Sequence, residues 1–571
     1  VSSSTPTETL DREENTPPEN DDKSTKKGLI EAPRVFWPAA VLLLAFVAIA
    51  LIWPHQLNEV LGKANDTVVG DMGWFYVITV TGFVFYALWL VLSPMGDIVL
   101  GKPEEDPEFS LPSWFAMLFA AGMGIGLVFW GVAEPLNHFS TPPPGTAEGE
   151  PARARAAMDS TFLHWGLHAW AIYVVVGLAV AYAVHRKGRS VSIRWTLEPL
   201  LGDRVKGWLG DVIDILAIVG TLFGIATSLG FGVSQVGAGL GYLGVADTDD
   251  SGTVSTWLLV ALIIGITAIA TISVVTGVDK GIKFLSNLNM VVAGLLMAAV
   301  LLLGPTMFLL SDFVQQIGSY LQNFLSMSFR TFAFQGDDGK SWLSGWTTFY
   351  WGWWISWSPF VGVFIARISR GRTVREFVAG VLLVPTLVGC LWFAIFGGSG
   401  IYREMYGPGG IIKDGKVSTD LALFQLLDGL PVSTLLSVVA IILVVVFFVT
   451  SSDSGSFVVD MLASGGNPNP PVWSRVMWAS LEGAIAAALI LVGGAGGEGL
   501  AALQTMAILV ALPFSIVLIL MAVSTGKELV GTHAQLVHGR RRKFEKSIKD
   551  ELRKELTDLR TRGRESDKPR R

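Results

Sequence analysis

Apolar runs of about 20 residues, each long enough to cross a ~30 Å hydrocarbon core as helix, recur along the whole chain. They lie near residues 35–54, 72–93, 112–135, 159–184, 211–243, 256–277, 288–310, 346–368, 376–397, 433–461, 472–493 and 501–523. Inside lipid every backbone polar group must be satisfied within the chain. A sequence patterned in this way folds as an all-α polytopic membrane protein with twelve transmembrane helices. Its 51% apolar and 16% charged residues exclude a soluble globular domain.

Charge divides the chain further. Residues 1–33 are acidic, polar and rich in Pro, Ser and Thr, the composition of a disordered tail. Residues 34–525 form the membrane domain, and 526–571 a basic cytoplasmic tail with 14 Lys or Arg against 7 Asp or Glu from Arg540 onward. Loops joining even to odd spans carry Arg186, Lys187, Arg189, Arg194, Arg204 and Lys206, then Lys280 and Lys283, then Arg367, Arg370, Arg372 and Arg375. By the positive-inside rule both termini are cytoplasmic. The 94–110 loop is the exception, with Lys102 outweighed by Glu104, Glu105, Asp106 and Glu108, but acidic residues contribute little to topology. Cys390 is the lone cysteine, so no disulfide forms within the chain. No cleavable signal peptide and no nucleic-acid partner are expected.

Three spans carry unusual chemistry. Span three contains Gly122-Met123-Gly124-Ile125-Gly126. Packing motifs space small residues by four, whereas alternate glycines rotate around the helix and favour a locally unwound segment facing a substrate or ion. Span eight places Trp346, Tyr350, Trp351, Trp353, Trp354, Trp357 and Phe360 within fifteen residues, too long a stretch for one interface, with Ser358-Pro359 expected to interrupt the helix. Span four adds Trp165, Trp170 and Tyr173. Aromatic faces converging in a dry cavity hold a methylated ammonium through the ring quadrupole. In span ten, Thr450 and Ser451 either back-bond to the preceding turn or complete an oxygen cage for Na+, and Asp453 is a functional acid or a cap at a helix break. His164 and His168 are four apart without a third ligand in pattern, and read as packing or hydrogen-bonding residues. No metalloprotease or paired-histidine signature marks an enzyme.

Two segments lie outside the spans. Phe313, Ile317, Tyr320, Leu321 and Phe324 repeat at helical spacing among Gln315, Gln316, Ser319, Gln322 and Asn323. This amphipathic linker helix, about 312–330, lies on the outer leaflet or against a neighbouring subunit. Near 540–562, Phe544, Ile548, Leu552, Leu556 and Leu559 line one helical face among basic residues. That stretch is either a soluble topology signal or a regulatory helix binding anionic lipid and the acidic 104–108 loop.

Taken together, GMGIG at 122–126, HWGLHAWAIY at 164–173, GWWISWSPFVG at 352–362, ARISRGRTVREF at 366–377 and FFVTSSDS at 447–454 resemble the betaine/choline/carnitine transporter family over residues 35–525, and within it the sodium-coupled glycine betaine carriers of actinobacteria. The resemblance implies an inverted five-helix repeat core of the LeuT type (about 111–311 and 344–525), two leading helices and a homotrimer in the bacterial inner membrane. It implies uptake of a quaternary-ammonium compatible solute, glycine betaine first, with Na+ as coupling ion and no other cofactor. Ectoine, proline or choline uptake, or a non-transporting osmosensor, are the alternatives. By the family pattern Trp165, Trp170, Tyr173 and Trp354 form an aromatic box, with Trp353, Trp357 and Phe364 along the path and Gly122, Met123, Gly124 and Gly126 beside it. Carbonyls of Ala120, Met123 and Phe447 and hydroxyls of Thr450 and Ser451 match one sodium site. A second is matched in part by Thr221 and Phe360, with Ile225 where related carriers have a threonine. Gly126 stands where choline carriers have an aspartate, so the site is expected to favour a zwitterion. Arg367, Arg370, Arg372, Glu104 and Glu105 are the expected regulatory positions.

Overall fold

A computed structural model describes residues 31–122, 124–249, 252–276, 279–493 and 497–566. Two helices lead, α1 (Pro33–Ile52) and α2 (Pro54–Leu92), each opened by a proline where a missing N–H costs nothing. The third span is broken, as the alternate glycines predict. α3 (Leu111–Gly122) ends before Gly124, which is extended at φ −155° and ψ −175°, and α4 (Ile125–Ser140) follows. The fourth span, expected as one helix over 159–184, is also broken, into α5 (Glu150–Trp165) and α6 (Leu167–Ala181). A Cβ on the intervening Gly166 would stand 2.4 Å from the Phe162 carbonyl oxygen, so no other residue fits this bend undisturbed.

The single-turn α7 (Glu198–Leu201) precedes α8 (Trp208–Tyr242), α9 (Thr256–Thr276) and α10 (Asp279–Leu303). The linker helix α11 (Thr306–Ser328) begins before the expected residue 312. Then come α12 (Gly336–Leu343), α13 (Phe349–Ile368) and α14 (Val374–Tyr406), the last opened by a Thr373–Glu376 capping box. α15 (Ala422–Asp428), α16 (Ser433–Ala463), α17 (Val472–Gly493) and α18 (Gly497–Ser566) complete the chain. Two expected breaks are absent. α13 runs through Pro359 because the Ile355 carbonyl, which loses its donor there, accepts from Ser358 Oγ at 2.7 Å. α16 runs unbroken past Asp453.

Among the described residues ten helical stretches are long and apolar enough to cross a membrane, and the broken α3–α4 pair and the tryptophan-rich α13 bring the spans to twelve. Their pairing is two-fold. α6 packs on α13 as α14 packs on α4, α8 lies on α18 as α16 lies on α10, and α8 meets α16 as α9 meets α17. Exchanging the first five spans of the core with the second five leaves these pairings unchanged. Because five is odd, the second unit crosses the membrane in the opposite sense, which makes the repeat inverted. α18 continues without interruption through residue 526, where the tail was expected to begin, and carries the exposed Phe544, Ile548, Leu552, Leu556 and Leu559.

The apolar stripe of α11, expected on the outer leaflet or against a neighbouring subunit, instead packs largely on the protein core, with Tyr320 buried and Phe313, Ile317 and Phe324 partly buried, and part of the polar face turns inward with it. Its Ser319 hydroxyl (2.8 Å) and Asn323 amide (3.1 Å) turn inward and donate to Asp159 Oδ2, while Val314, Leu321 and Leu325 are exposed. A buried acid on α5 thus holds two polar side chains of α11 in the same inward face as Tyr320 and Phe324.

Candidate functional site

One cavity is lined by the helix break at Gly124 and by Trp165, which ends α5 just before the break at Gly166. Trp165, Trp170, Tyr173, Trp353, Trp354 and Trp357 all line it, together with Gly124, Gly126 and Ser451. Sequence reasoning missed Ser228 of α8 and Pro385 and Gly389 of α14, because only the folded chain brings those helices to the wall. Phe364 is half-buried and Phe360 stands behind Trp357, ring centroids 5.7 Å apart, and neither lines the cavity.

The rings form one connected cage. Trp353 stacks on Trp354 at 4.5 Å and 16°, and Trp165 meets Trp354 edge-on at 4.9 Å. Trp170 and Tyr173 lie 5.2 Å apart, and Tyr173 is 6.4 Å from both Trp354 and Trp357. The indole N–H groups at the centre of the cage are used on protein acceptors. Trp354 Nε1 donates to the His164 carbonyl at 2.9 Å, a group freed by the break at Gly166, and Trp353 Nε1 donates to the Gly224 carbonyl at 3.3 Å. The Tyr173 hydroxyl is buried with no partner among the described residues.

Gly126 is where the cage is tightest. A Cβ there would lie 2.7 Å from Trp353 Cη2 and 2.9 Å from Trp165 Cη2, whereas one on Gly124 meets only Trp357 Cη2 at 3.8 Å. The argument from charge alone at position 126 is therefore incomplete, since aspartate would first have to displace two rings. Gly126→Ala is expected to lower substrate affinity by on the order of tenfold, while Gly124→Ala changes it little. Equal effects of the two in a tryptophan-fluorescence binding titration would contradict this packing.

His164 hydrogen-bonds and His168 packs, as expected, but the sequence reading missed the partners of His164. Glu134 and His138, one turn apart on α4, join His164 in a buried cluster. Glu134 Oε1 accepts from His164 Nδ1 at 2.7 Å and faces His138 Nε2 at 3.3 Å. Its Oε2 accepts from Trp165 Nε1 and from the Tyr350 hydroxyl, both at 2.5 Å. The three ligand atoms lie within 4.8 Å of one another, the reach of a shared metal ion, yet the carboxylate is already filled by hydrogen bonds that anchor Trp165 of the cage and Tyr350. His168 instead stacks on Trp351 at 5.4 Å. The signal that was available was Glu134-x-x-x-His138, an acid and a histidine on one helical face inside an apolar span.

Of the expected sodium ligands, Met123 lies outside the described residues, and Ala120 and Gly122 are described as backbone only. Ser451 lines the cavity, and Thr450 Oγ1 donates to the Val446 and Phe447 carbonyls at 2.9 and 3.2 Å, which leaves its lone pairs. Thr221 is buried off the cavity and back-bonds to the Ala217 carbonyl at 2.7 Å.

The acidic loop is clamped onto the turn after α13. Leu100 N–H donates to the Arg372 carbonyl and Gly371 N–H to the Leu100 carbonyl, while Arg372 sits over the Trp114 ring at 4.8 Å. Glu105 accepts from the Lys102 amide and pairs with Arg370 at 2.7 Å, and both contacts hold its carboxyl below the usual range. Arg367 and Glu104 are exposed. The described contacts of Glu105 are thus with the basic loop and not with the C-terminal helix.

The family described as BCCT, the betaine/carnitine/choline family transporters, matches residues 34–534. An uncharacterized transporter of Mycobacterium tuberculosis (strain ATCC 25618 / H37Rv) is 53% identical over 492 residues, 85% of this chain and 81% of that protein. The glycine betaine transporter OpuD of Bacillus subtilis is 46% identical over 500 residues, 87% of this chain and 94% of that one. A glycine betaine/proline/choline transporter of Vibrio parahaemolyticus is 44% identical over 514 residues, 87% and 90% of the two chains. With the inverted repeat, the twelve spans and these matches together, the chain belongs to the betaine/carnitine/choline transporter family, and it is a multi-pass membrane carrier of small osmolytes, not an enzyme.

Proposed function

We propose that this carrier imports glycine betaine by Na+ symport, alternating access to a cavity at the two helix breaks. The observation that carries the reading is the orientation of the cage. The indole N–H groups of Trp165, Trp353 and Trp354 are spent on Glu134, Gly224 and His164. Those three rings offer a ligand only their π-faces, and a trimethylammonium group, which neither donates nor needs an acceptor, is the cation that suits them. The ligand's carboxylate has two candidate partners, the amides at the start of α4 beyond Gly124 and the unpartnered Tyr173 hydroxyl. Gly126 contributes no counter-charge, so the positive charge that moves with a zwitterion is the coupling ion, held at Thr450 and Ser451.

The test is uptake of labelled glycine betaine into proteoliposomes with and without an inward Na+ gradient, with unlabelled proline, ectoine and choline as competitors. Uptake that collapses with the gradient and is blocked best by glycine betaine is expected. Uptake indifferent to Na+ would end the symport reading, and none above protein-free vesicles would leave an osmosensor. In the same reading the carrier sits in the bacterial inner membrane with both termini in the cytoplasm. The exposed Val314, Leu321 and Leu325 of α11 pack a homotrimer, and the exposed basic face of α18 meets anionic lipid.

A further inference from the structure

One buried carboxylate lies behind the cavity wall and has no part in the cage. Glu482 of α17 is fully buried, and its Oε2 accepts from Ser452 Oγ at 2.9 Å. Ser452 follows Ser451, which lines the cavity, and turns to the opposite side of α16. Glu482 Oε1 has no hydrogen-bond partner among the described residues. It faces the place where α8 and α16 meet. A Cβ built on Gly455 would be 3.4 Å from this oxygen and 2.4 Å from Ile225 Cδ1. From α9, Thr267 packs on Gly483 with its hydroxyl also buried and unpartnered. Asp453 is the ionisable group that acts on Glu482, and Arg475, two turns earlier on α17, lies 4.0 Å from Asp460.

We propose that Glu482 is a proton-binding site, exchanging with the aqueous phase and linked across α16 to the cation held on the Ser451 side. A bare anionic oxygen in the membrane core is heavily penalised, so the group needs a cation. A metal cation needs several oxygens around it, and here the space beside Oε1 is taken by the Ile225 methyl and the Gly455 backbone. A proton needs one. Carried on Oε2 toward Ser452 Oγ, it leaves Oε1 as a neutral carbonyl oxygen, which is far cheaper to bury. The isoleucine that removes an oxygen from one candidate cation site thus borders a carboxyl able to hold a different cation.

The linkage has a sign. Na+ on the cavity side favours the ionised carboxylate and drives the proton off, and by reciprocity acid weakens Na+ binding.

The linkage, though not the proton site, rests on the proposed Na+ coupling, so two readouts on the full-length protein are used. Infrared difference spectra of detergent-solubilised protein between acid and alkaline pH follow protonated carboxyls directly, with no transport required. A carboxyl band lost on alkalinisation in wild type and missing in Glu482→Gln is expected. A spectrum unchanged by that substitution overturns the proton site. Na+ titrations by tryptophan fluorescence are expected to show half-saturating Na+ rising about fivefold from alkaline to acid pH in wild type. In Glu482→Gln it stays at the acid value throughout. The same pH dependence in both proteins, or none in wild type, overturns the linkage. Ser452→Ala, which keeps the carboxyl and removes its donor, should raise the pH midpoint of the infrared band. If Glu482→Gln does not fold, an unmoved midpoint in Ser452→Ala refutes the assignment by itself.

Discussion

Replacing Trp354 with leucine abolishes glycine betaine uptake while the protein still folds and inserts. Trp354 lies at the centre of the cage, stacked on Trp353, edge-on to Trp165 and within 6.4 Å of Tyr173. A desolvated cation over one such face gains about 2 kcal/mol or more. Leucine removes the face and leaves the Trp353 and Trp165 rings without their support, so a loss in kcat/KM on the order of 100-fold or greater follows. Two structural costs accompany it, a cavity and a His164 carbonyl left without its donor. Together they are expected to cost about 3 kcal/mol of stability. Trp354→Phe separates these effects, because it keeps a π-face and loses only the N–H. It should retain Na+-stimulated uptake with a raised KM. Near-normal transport by Trp354→Leu, or equal loss in both variants, would remove the ring from its assigned role.

Why some of this site could be read from residues and some could not has a physical basis. The break at Gly124 was legible because three alternate glycines weaken one turn by about 1 kcal/mol each and cannot share a packing face. The break at Gly166 was not. A lone glycine inside HWGLHAW carries too small a penalty to mark, and the bend depends on its fit against Phe162. Ser358-Pro359 erred the other way, since proline's lost hydrogen bond was replaced locally by the serine hydroxyl. The aromatic lining was legible because Trp is costly to place in mid-membrane without a use. The Glu134 cluster was missed because its strongest partners, His164 and Tyr350, lie 30 and 216 residues away in sequence. In α11 the periodicity marks the stripe that packs inward, but the turn of Ser319 and Asn323 toward the same side depends on Asp159, about 160 residues away in sequence.

The ion site gives the second large effect. Thr450→Ala with Ser451→Ala should raise half-saturating Na+ on the order of tenfold or more, as loss of two oxygens from a cation's sphere requires. Thr221→Ala should change it less than about threefold. The structure favours this asymmetry. Ser451 lines the cavity and Thr450 sits at the same level, its donor turned to backbone carbonyls and its lone pairs left over. Thr221 is buried off the cavity, and one turn further on Ile225 offers a methyl group packed at Gly455. Thr227 does not take its place, for its hydroxyl is engaged by the Phe223 and Leu503 carbonyls at 2.8 and 3.2 Å. Ser228 does reach the cavity, but about 10 Å along the helix from Thr221, too far to share an ion with it. Sodium dependence of uptake should therefore show a Hill slope of about one. Ile225→Thr should steepen it or lower half-saturating Na+, because it adds an oxygen one turn from Thr221 and beside Glu482. A wild-type slope close to two that collapses in Thr221→Ala would mean that a second Na+ binds despite the isoleucine, and the carrier would then couple to two sodium ions through a site built around Thr221.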